Sequence, residues 1–272
     1  MRFVKGHGTQ NDFVILPDPD ARLDLSPALV AAICDRRAGV GADGVLRVVP
    51  SKLCPEAADQ AGEAEWFMDY RNADGSLAEM CGNGVRVFAR YLVETGLAAP
   101  GEFGVATRAG VRRVRLAATG DVTVDMGPPK VFGTSRTTIA GRDYEGVCVD
   151  VGNPHLACLI EDAVSDLDLT RPPAFDATVF PQGVNVELLN PAGERRVVMR
   201  VFERGSGETR SCGTGTVAAA VAAARAAGET AGVWSIEVPG GEVRVTLDPD
   251  TSFLTGPAVL VAEGEIRLAA LG

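Results

Sequence analysis

Histidine, lysine and aromatic residues are scarce in this sequence. Among its 272 residues there are two histidines and three lysines, and aromatic residues amount to 6%. His7 and His155 lie far apart in sequence, so a metal site built on histidine ligands is not expected. None of the lysines, which are Lys5, Lys52 and Lys130, has neighbours typical of a lysine that forms a Schiff base with pyridoxal phosphate.

Long apolar runs and positive charge are also missing. No apolar run is long enough to span a bilayer, and the first residues have no apolar signal-peptide core, so a cytoplasmic protein is expected. The formal net charge is −10, and no basic cluster offsets it, which argues against nucleic acid or an anionic membrane as a partner. The six cysteines form no Cys-x-x-Cys pair, so most are expected to be reduced thiols.

Two Cys-Gly-x-Gly segments indicate an internal repeat. "CGNG" begins at Cys81 and "CGTG" begins at Cys212, and each is followed by a helical pattern, a pair of strands and a Gly-Pro pair. Upstream, Asn11 opens "NDFVIL" and Asn153 opens "NPHLACL". Agreement at several places along the chain favours a duplication that produced two halves of similar fold.

The predicted fold class is α/β of the α+β type, with two pseudo-symmetric halves, each a mostly antiparallel sheet wrapped around a central helix. "SPALVAAICDRR" is typical of a helix, with Ser26 as N-cap and Pro27 at the first helical position. The helix after Cys212 is alanine-rich almost all round and is expected to pack inside its half. Predicted strands are DFVILP, GVLRVV, EWFMDYR, VRRVRLA and DVTVDM, then VNVELL, RRVVMRVFE, VWSIEVP and EVRVTLD.

Cys81 and Cys212 each stand directly before a predicted helix start. A helix N-terminus has unpaired N–H groups and a partial positive charge, so a cysteine there is expected to have a lowered pKa. Glycines leave the same N–H groups open to a carboxylate. Two thiols on opposite faces of one α-carbon suit removal of a proton on one side and delivery on the other, while fixed donors stabilise the carbanion.

A structural role and other thiol chemistries are also compatible with these cysteines. A lone cysteine before a helix is more often a buried apolar residue than a catalyst, and only the paired placement favours catalysis. Cys34, Cys148 and Cys158 are interpreted as structural. A thiol hydrolase or acyltransferase, with one cysteine as nucleophile, stays open, as does a redox sensor in which Cys81 and Cys212 form a disulfide.

Four segments along the chain are distinctive: "NADGSLAEMCGNGVRVFARYL", "VGNPH", "FPQGVNVELL" and "ERGSGETRSCGTGT". Together they resemble the diaminopimelate epimerases, a family of cofactor-independent amino-acid isomerases of lysine and cell-wall synthesis. "GHGTQNDFVIL" is similar to the opening segment of that family. The resemblance implies epimerisation of LL-2,6-diaminopimelate to meso-diaminopimelate by a cytoplasmic homodimer, with no cofactor and no metal.

The resemblance also implies a role for individual residues. In the direction from LL to meso, Cys212 accepts the proton and Cys81 donates one, while His155 and Glu203 tune their protonation. The reacting end of the substrate is held by Asn11, Gly82, Asn83, Gly213 and Thr214, and the distal end by Asn72, Asn153, Asn185, Glu203 and Arg204.

The distal set suits a second amino-acid head. Arg204 can bind a carboxylate through two nitrogens, and Glu203 can pair with an ammonium. A proline-type racemase, whose substrate has one such head, is therefore the less favoured function for this fold. Without the resemblance, Asn72 and Asn153 are more typical of turns, and Glu203-Arg204 of a solvated charge pair, than of a binding site.

One position departs from the family pattern, and the lobes have expected bounds. Many relatives carry a substrate-contacting glutamine after Gly-Ala-Asp, whereas this sequence has Gly44. Residues 1–127 are expected to form the lobe that carries Cys81, with a last strand at about 258–272 returning to it. Residues 128–257 are expected to form the lobe that carries Cys212, with the active site in the cleft between the lobes.

Overall fold

A computed structural model describes residues 1–117 and 120–271 of the chain. Residues 118, 119 and 272, which the sequence analysis assigns to the first lobe and its last strand, lie outside the described residues. The chain divides into two compact units, which are Met1–Val124 with Pro257–Gly272 (the first unit) and Asp125–Gly256 (the second unit). Within the described ranges, no helix is long and apolar enough to cross a membrane.

The chain begins and ends in the first unit. Its helices there are α1 (Pro27–Cys34) and α2 (Gly82–Glu94). The strands in chain order are β1 (Arg2–Gly8), β2 (Asn11–Pro17), β3 (Gly44–Pro50), β4 (Trp66–Asn72), β5 (Gly101–Val105), β6 (Arg112–Leu116) and β7 (Val122–Asp125), which ends on the first residue of the second unit.

The second unit contains one long helix, α3 (Gly213–Ala226). Its strands are β8 (Lys130–Ile139), β9 (Arg142–Asp150), β10 (Pro154–Leu159), β11 (Ala174–Phe175), β12 (Asn185–Gly193), β13 (Arg196–Glu203), β14 (Gly207–Thr209), β15 (Gly232–Val238), β16 (Gly241–Leu247) and β17 (Ser252–Gly256). A last strand, β18 (Val259–Glu265), belongs to the first unit.

The same strand order occurs in both units. In the first unit it is β18-β1-β2-β3-β4, antiparallel except for the parallel pair β2 and β3. In the second unit it is β8-β9-β10-β12-β13, antiparallel except for the parallel pair β10 and β12. Each long helix is followed by three antiparallel strands. They are β5-β6-β7 after α2 and β15-β16-β17 after α3. This repetition confirms the predicted α+β fold with two pseudo-symmetric halves.

The central strand β2 is covered on both faces. Phe13, Val14, Ile15 and Leu16 are all fully buried, which is expected only for a strand packed on two sides. Val14 and Leu16 pack with Val30 and Ile33 of α1, while Phe13 faces the first turn of α2. Each such side chain contributes about 1.5–3 kcal/mol of burial free energy, so β2 is a rigid support for the residue at its start.

Local chemistry explains where the helices begin and how they pack. Ser26 is the N-cap of α1, and its Oγ accepts a hydrogen bond from the Leu29 N–H at 3.2 Å, as the sequence predicts. In α3 every residue from Gly213 to Ala224 is buried. Its alanines let the helix axis approach the sheet closely, and α3 packs on β10 and β12 in particular.

Candidate active site

Cys81 is the N-cap residue of α2. Its backbone is extended there (φ −140°, ψ 117°), and its Sγ accepts a hydrogen bond from the Gly84 N–H at 3.4 Å. The Cys81 carbonyl accepts the first helical hydrogen bond, from the Val85 N–H at 2.8 Å. Because Gly82 and Gly84 carry no side chains, the thiol lies beside the unobstructed N–H groups of the helix start.

Asn11, the first residue of β2, joins Cys81 to the rest of the first unit. Its Oδ1 accepts from Cys81 Sγ at 3.6 Å and from Asn83 Nδ2 at 3.2 Å. Its Nδ2 donates to Asp43 Oδ2 at 2.8 Å, which determines that the amide oxygen faces the thiol. Asp43 was not predicted as a site residue, because only the parallel pairing of β2 and β3 brings it beside Asn11.

A strained turn places Asn11. Thr9 and Gln10 connect β1 to β2, and both have positive φ, 50° and 62°, as the two central residues of a type I′ hairpin require. This conformation is rare for non-glycine residues and especially for a β-branched one. Thr9 Oγ1 accepts a hydrogen bond from Arg86 Nη2 at 3.2 Å, which helps to hold the turn in this conformation.

Arg86 is a fully buried cation inside α2. Besides its bond to Thr9, its Nε donates to the Pro257 carbonyl at 3.3 Å, and Nη1 has no hydrogen-bond partner among residues 1–117 and 120–271. Burial lowers the pKa of Arg86 to about 10, and the charges of Cys81 and Asp121 oppose that shift. The guanidinium is therefore still charged near neutral pH and interacts electrostatically with Cys81.

Gly44 and Asn72 lie opposite each other on β3 and β4. A Cβ at Gly44 would lie 2.5 Å from the Arg71 carbonyl oxygen and 2.8 Å from Tyr70 Cε2, so this backbone leaves no room for a side chain there. The backbone of this chain is therefore matched to the glycine that stands in place of the family's glutamine. Asn72 Nδ2 donates to Ser76 Oγ at 3.0 Å, so Asn72 also stabilises a turn.

Cys212 repeats the geometry of Cys81 in the second unit. It is the N-cap of α3 (φ −120°, ψ 117°), and its Sγ accepts from the Gly215 N–H at 3.4 Å. Thr214 Oγ1 lies 3.5 Å from the same sulfur. The residue is 6% exposed, so its thiol is surrounded almost entirely by protein.

The surroundings of Cys212 correct one sequence-based expectation. Burial raises the pKa of Cys212 well above its ordinary value, and the charges of Glu203 and Glu187 raise it further. The hydrogen bonds from Thr214 and Gly215 lower it, but by less. The prediction of a lowered pKa at this helix start is therefore wrong for Cys212, because it omitted the desolvation of the thiolate.

A chain of buried polar groups lies beside α3. His155 Nδ1 is 2.7 Å from Glu187 Oε1, and His155 Nε2 is 2.9 Å from Asn153 Oδ1. Burial raises the pKa of Glu187 to about 7, the charge of Glu203 acts in the same direction, and His155 opposes the shift. Glu187 was not predicted as a site residue. Its signal in the sequence is a single carboxylate between apolar residues in "VNVELL".

Asn185 is hydrogen-bonded to one other predicted residue of the second unit, Arg204, and to the backbone next to Asn153. Its Nδ2 donates to the Pro154 carbonyl at 3.1 Å, and its Oδ1 accepts from the Arg204 N–H at 2.9 Å. Arg204 is exposed, and its Nη1 donates to the Gln182 carbonyl at 3.0 Å. Glu203 Oε1 accepts a short hydrogen bond from the Thr209 hydroxyl.

The predicted residues therefore form one group in each unit. Asn72 belongs to the first unit, whereas the other four residues expected to bind the distal end of the substrate belong to the second. Among the described residues, no cluster of histidine, cysteine or carboxylate side chains could hold a metal ion. The first group is Asn11, Asn72, Cys81, Gly82 and Asn83, and the second is Asn153, His155, Asn185, Glu203, Arg204, Cys212, Gly213 and Thr214.

Comparison with known proteins finds close relatives of one kind. The sequence profile of the diaminopimelate epimerase family matches residues 3–132 and 147–261. Diaminopimelate epimerase of Thermobifida fusca is 58% identical over 275 residues, which cover 100% of each chain. The enzyme of that name from Rhodococcus opacus is 55% identical over 280 residues, which cover 98% of this chain and 97% of the relative.

Solved structures share the fold at much lower identity. A probable proline racemase from Agrobacterium radiobacter, with bound carbonate, superposes with a TM-score of 0.70. It is 14% identical, and the match covers 100% of this chain and 95% of that one. At this identity the likeness concerns the fold alone.

Proposed function

The chain belongs to the diaminopimelate epimerase family, and on this premise we propose that it interconverts LL-2,6-diaminopimelate and meso-diaminopimelate by proton transfer through two thiols. It is an isomerase of lysine biosynthesis, and the proposal extends its role to peptidoglycan precursors. One observation carries the mechanism. Cys81 and Cys212 are the N-cap residues of α2 and α3, and these helices occupy corresponding positions in two units whose strands have the same order.

In the direction from LL to meso, the Cys212 thiolate removes the proton from one α-carbon. The electron pair stays on that carbon as a planar carbanion conjugated with its carboxylate. The Cys81 thiol then delivers a proton to the opposite face, which leaves Cys212 as a thiol and Cys81 as a thiolate. The reverse reaction exchanges these roles, so no cofactor is consumed or needed.

The helix starts stabilise the negative charge of the reacting end. Gly82 and Asn83 at the start of α2, and Gly213 and Thr214 at the start of α3, offer N–H groups to its carboxylate. Asn11 contributes its amide beside Cys81. These donors are held in place before the substrate binds, which is why they favour the carbanion over a solvated ground state.

The distal end is bound by Asn72, Asn153, Asn185, Glu203 and Arg204. The exposure of Arg204 supports its role, because an exposed guanidinium can receive a carboxylate from solution. His155 and Glu203 tune the protonation of the thiols. Burial raises the pKa of Cys212 and the charge of Glu203 raises it further, which supports the role of Glu203.

The proposal includes the organisation of the enzyme. Residues 1–127 with about 258–272 form one lobe and residues 128–257 the other, and each contributes one thiol to the same substrate carbon. The enzyme acts in the cytoplasm as a homodimer. Exposed Val259 and Val261 on β18 support association, because an exposed apolar strand offers a surface to a second copy. Light scattering on the purified protein measures the oligomeric state.

The decisive experiment follows hydrogen exchange on LL-diaminopimelate in deuterated water without added cofactor. We expect one deuterium at the inverted α-carbon and formation of the meso isomer. Cys81→Ala and Cys212→Ala each lower turnover by about 10²-fold or more, because each removes an acid or base. Cys54→Ala, a cysteine distant from either helix start in sequence, keeps the wild-type rate.

Three outcomes would contradict the proposal. Full epimerase activity in either alanine variant at position 81 or 212 excludes the two-thiol mechanism. Faster exchange on proline or hydroxyproline than on diaminopimelate identifies a racemase of one-headed substrates. A thioester detected by mass spectrometry identifies a thiol hydrolase or acyltransferase.

A further inference from the structure

Glu187 is a buried carboxylate to which the proposed mechanism assigns no role. It lies on β12 and is fully buried. The alternation of the strand places Val186 and Leu188 in the apolar core of the second unit, while Glu187 points to the other face, toward the first turn of α3. Burying a charged side chain on that face costs free energy, so a carboxylate there is unusual unless it has a function.

The two oxygens of Glu187 differ in their hydrogen bonds. Oε1 is bonded to His155 Nδ1, but within residues 1–117 and 120–271 Oε2 has no hydrogen-bond partner. An ionised carboxylate inside a protein, with only one oxygen hydrogen-bonded, costs several kcal/mol of desolvation free energy. Binding a proton removes most of that cost. The residue is therefore poised to exchange a proton, which a purely structural group is not.

Asn153 determines how many protons the pair Glu187–His155 holds. Its Oδ1 can only accept, so His155 Nε2, which faces it, carries a hydrogen. His155 Nδ1 and Glu187 Oε1 are then joined by one shared proton, because two unprotonated atoms at 2.7 Å would repel. With that proton the pair has no net charge, and without it the pair carries one negative charge.

Gly215 separates this pair from Cys212. A Cβ built on Gly215 would lie 2.7 Å from Glu187 Oε1 and 3.3 Å from Cys212 Sγ. The carboxylate and the sulfur thus both lie close to the space that a side chain at position 215 would occupy. A negative charge on the pair disfavours the Cys212 thiolate at this short range, and a neutral pair does not.

We propose that Glu187 is a positioning residue that, through the proton it shares with His155, controls whether Cys212 is a thiol or a thiolate. The inference deepens the proposed function and rests on its assignment of Cys212 as a proton acceptor. The proton that leaves Cys212 is matched by the one that the pair binds, so the thiolate forms without a change in the net charge of the site.

The other titratable groups around Glu187 are few. His155 and Cys158 reach it electrostatically from β10, Glu203 from β13, and Cys212 from the start of α3. Burial first, and then Glu187, raise the pKa of Cys158 to about 12, so that thiol stays protonated over the range of interest. Glu203 is the second carboxylate of this set, and its charge raises the pKa of both Glu187 and Cys212 after burial does.

The test measures how fast iodoacetamide alkylates Cys212 as a function of pH, by mass spectrometry of the peptide that contains it, in the Cys81→Ala background. While the pair is neutral, the rate rises with pH. It levels off above pH 7, where the pair loses its proton, and rises again only at higher pH. Glu187→Gln keeps a donor for His155 but no charge, so its rate rises without levelling off and exceeds wild type by about tenfold near pH 8.5.

Two further variants separate charge from packing. Glu187→Asp keeps the charge and is expected to keep the two-step profile. Val186→Ala perturbs the opposite face of the same strand and is expected to lower stability without changing the profile. With Cys81 present, the acidic limb of the pH profile of kcat/KM for LL-diaminopimelate is expected to move to lower pH in Glu187→Gln. A loss of packing alone would lower kcat/KM by the same factor at every pH.

The outcomes distinguish this inference from the function on which it rests. A single-step alkylation profile in wild type, or equal profiles in wild type and Glu187→Gln, overturns the role of Glu187. If Glu187→Gln does not fold, the wild-type profile and that of Glu187→Asp still decide the matter. If the two-step profile is found but wild type does not epimerise diaminopimelate, the charge coupling holds and the proposed substrate is wrong.

Discussion

Glu187 Oε1 and His155 Nδ1 lie 2.7 Å apart in the second unit, and neither side chain is exposed to solvent. A proton shared at this place is held more tightly in the folded chain than in the unfolded one. The pair therefore links the stability of the second unit to pH as well as to the state of Cys212.

The first prediction concerns that stability. The folded pKa of Glu187, about 7, lies above its ordinary value of 4.5. The proton that Glu187 binds therefore contributes roughly 3 kcal/mol to the free energy of unfolding. This contribution is fully present below the pKa of Glu187 in the unfolded chain and is lost as pH rises through about 7, its pKa in the folded chain. Urea unfolding at several pH values should show this loss in wild type and not in Glu187→Gln. Equal pH dependence in the two proteins would contradict it.

The second prediction concerns Arg86. Arg86→Met removes a buried positive charge that interacts electrostatically with Cys81, so alkylation of Cys81 at neutral pH should slow by about tenfold. Arg86→Lys keeps the charge and should lose less. Arg90→Met removes another buried arginine, one turn further along α2, and serves as the matched control. Equal rates in the variants Arg86→Met and Arg90→Met would show that the charge near Cys81 has no effect.

The third prediction concerns Gly44. Gly44→Ala brings a Cβ against the Arg71 carbonyl and the Tyr70 ring, and we expect a loss of about 1–3 kcal/mol in the free energy of unfolding. Gly62→Ala is the matched control, because a Cβ there meets no atom within 4 Å. Removing a glycine from an open position should stabilise by about 0.5 kcal/mol. Urea unfolding measures both, and a neutral Gly44→Ala would show that β3 and β4 can separate.

The fourth prediction concerns the turn before Asn11. Gln10 is exposed and has φ 62°, which costs about 1–2 kcal/mol for a residue with a side chain. Gln10→Gly should therefore raise the free energy of unfolding by up to about 1 kcal/mol after the larger entropy loss of glycine is subtracted. It should also lower turnover, because a looser turn holds Asn11 less firmly.

A matched turn separates these two effects. Ala140 has φ 50° between β8 and β9, and the sequence analysis assigns no function there. Ala140→Gly should give a similar gain in stability and unchanged turnover. If both variants lower turnover equally, or neither does, the geometry of the Thr9-Gln10 turn has no special bearing on Asn11.

Local chemistry made part of this fold predictable. The strands β2, β3, β4, β12 and β13 follow the predicted segments closely, and α1, α2 and α3 begin at the expected residues. In each case the signal is a capping side chain, a glycine or an apolar pattern in the segment itself. β8 was not predicted, because "KVFGTSRTTI" is mostly exposed and polar, and the strand owes its conformation to pairing with β9.

The site was less predictable than the fold. Glu187 and Arg86 matter through burial, and Asp43 through its bond to Asn11, a partner that is distant in sequence; neither property can be recognised within a short motif. The same limitation explains the wrong pKa direction for Cys212, since a helix start predicts the dipole but not the desolvation that outweighs it.

The pairing of β1 with β18 has a consequence for biosynthesis. The second unit is one uninterrupted stretch, Asp125–Gly256, whereas the first combines two separate stretches, with Arg2 opposite Glu265. During synthesis on the ribosome, all residues of the second unit are therefore available for folding before all those of the first unit are. Until β18 has been synthesised, the outer edge of β1 is exposed to other nascent chains, and termination before β18 would leave it so permanently.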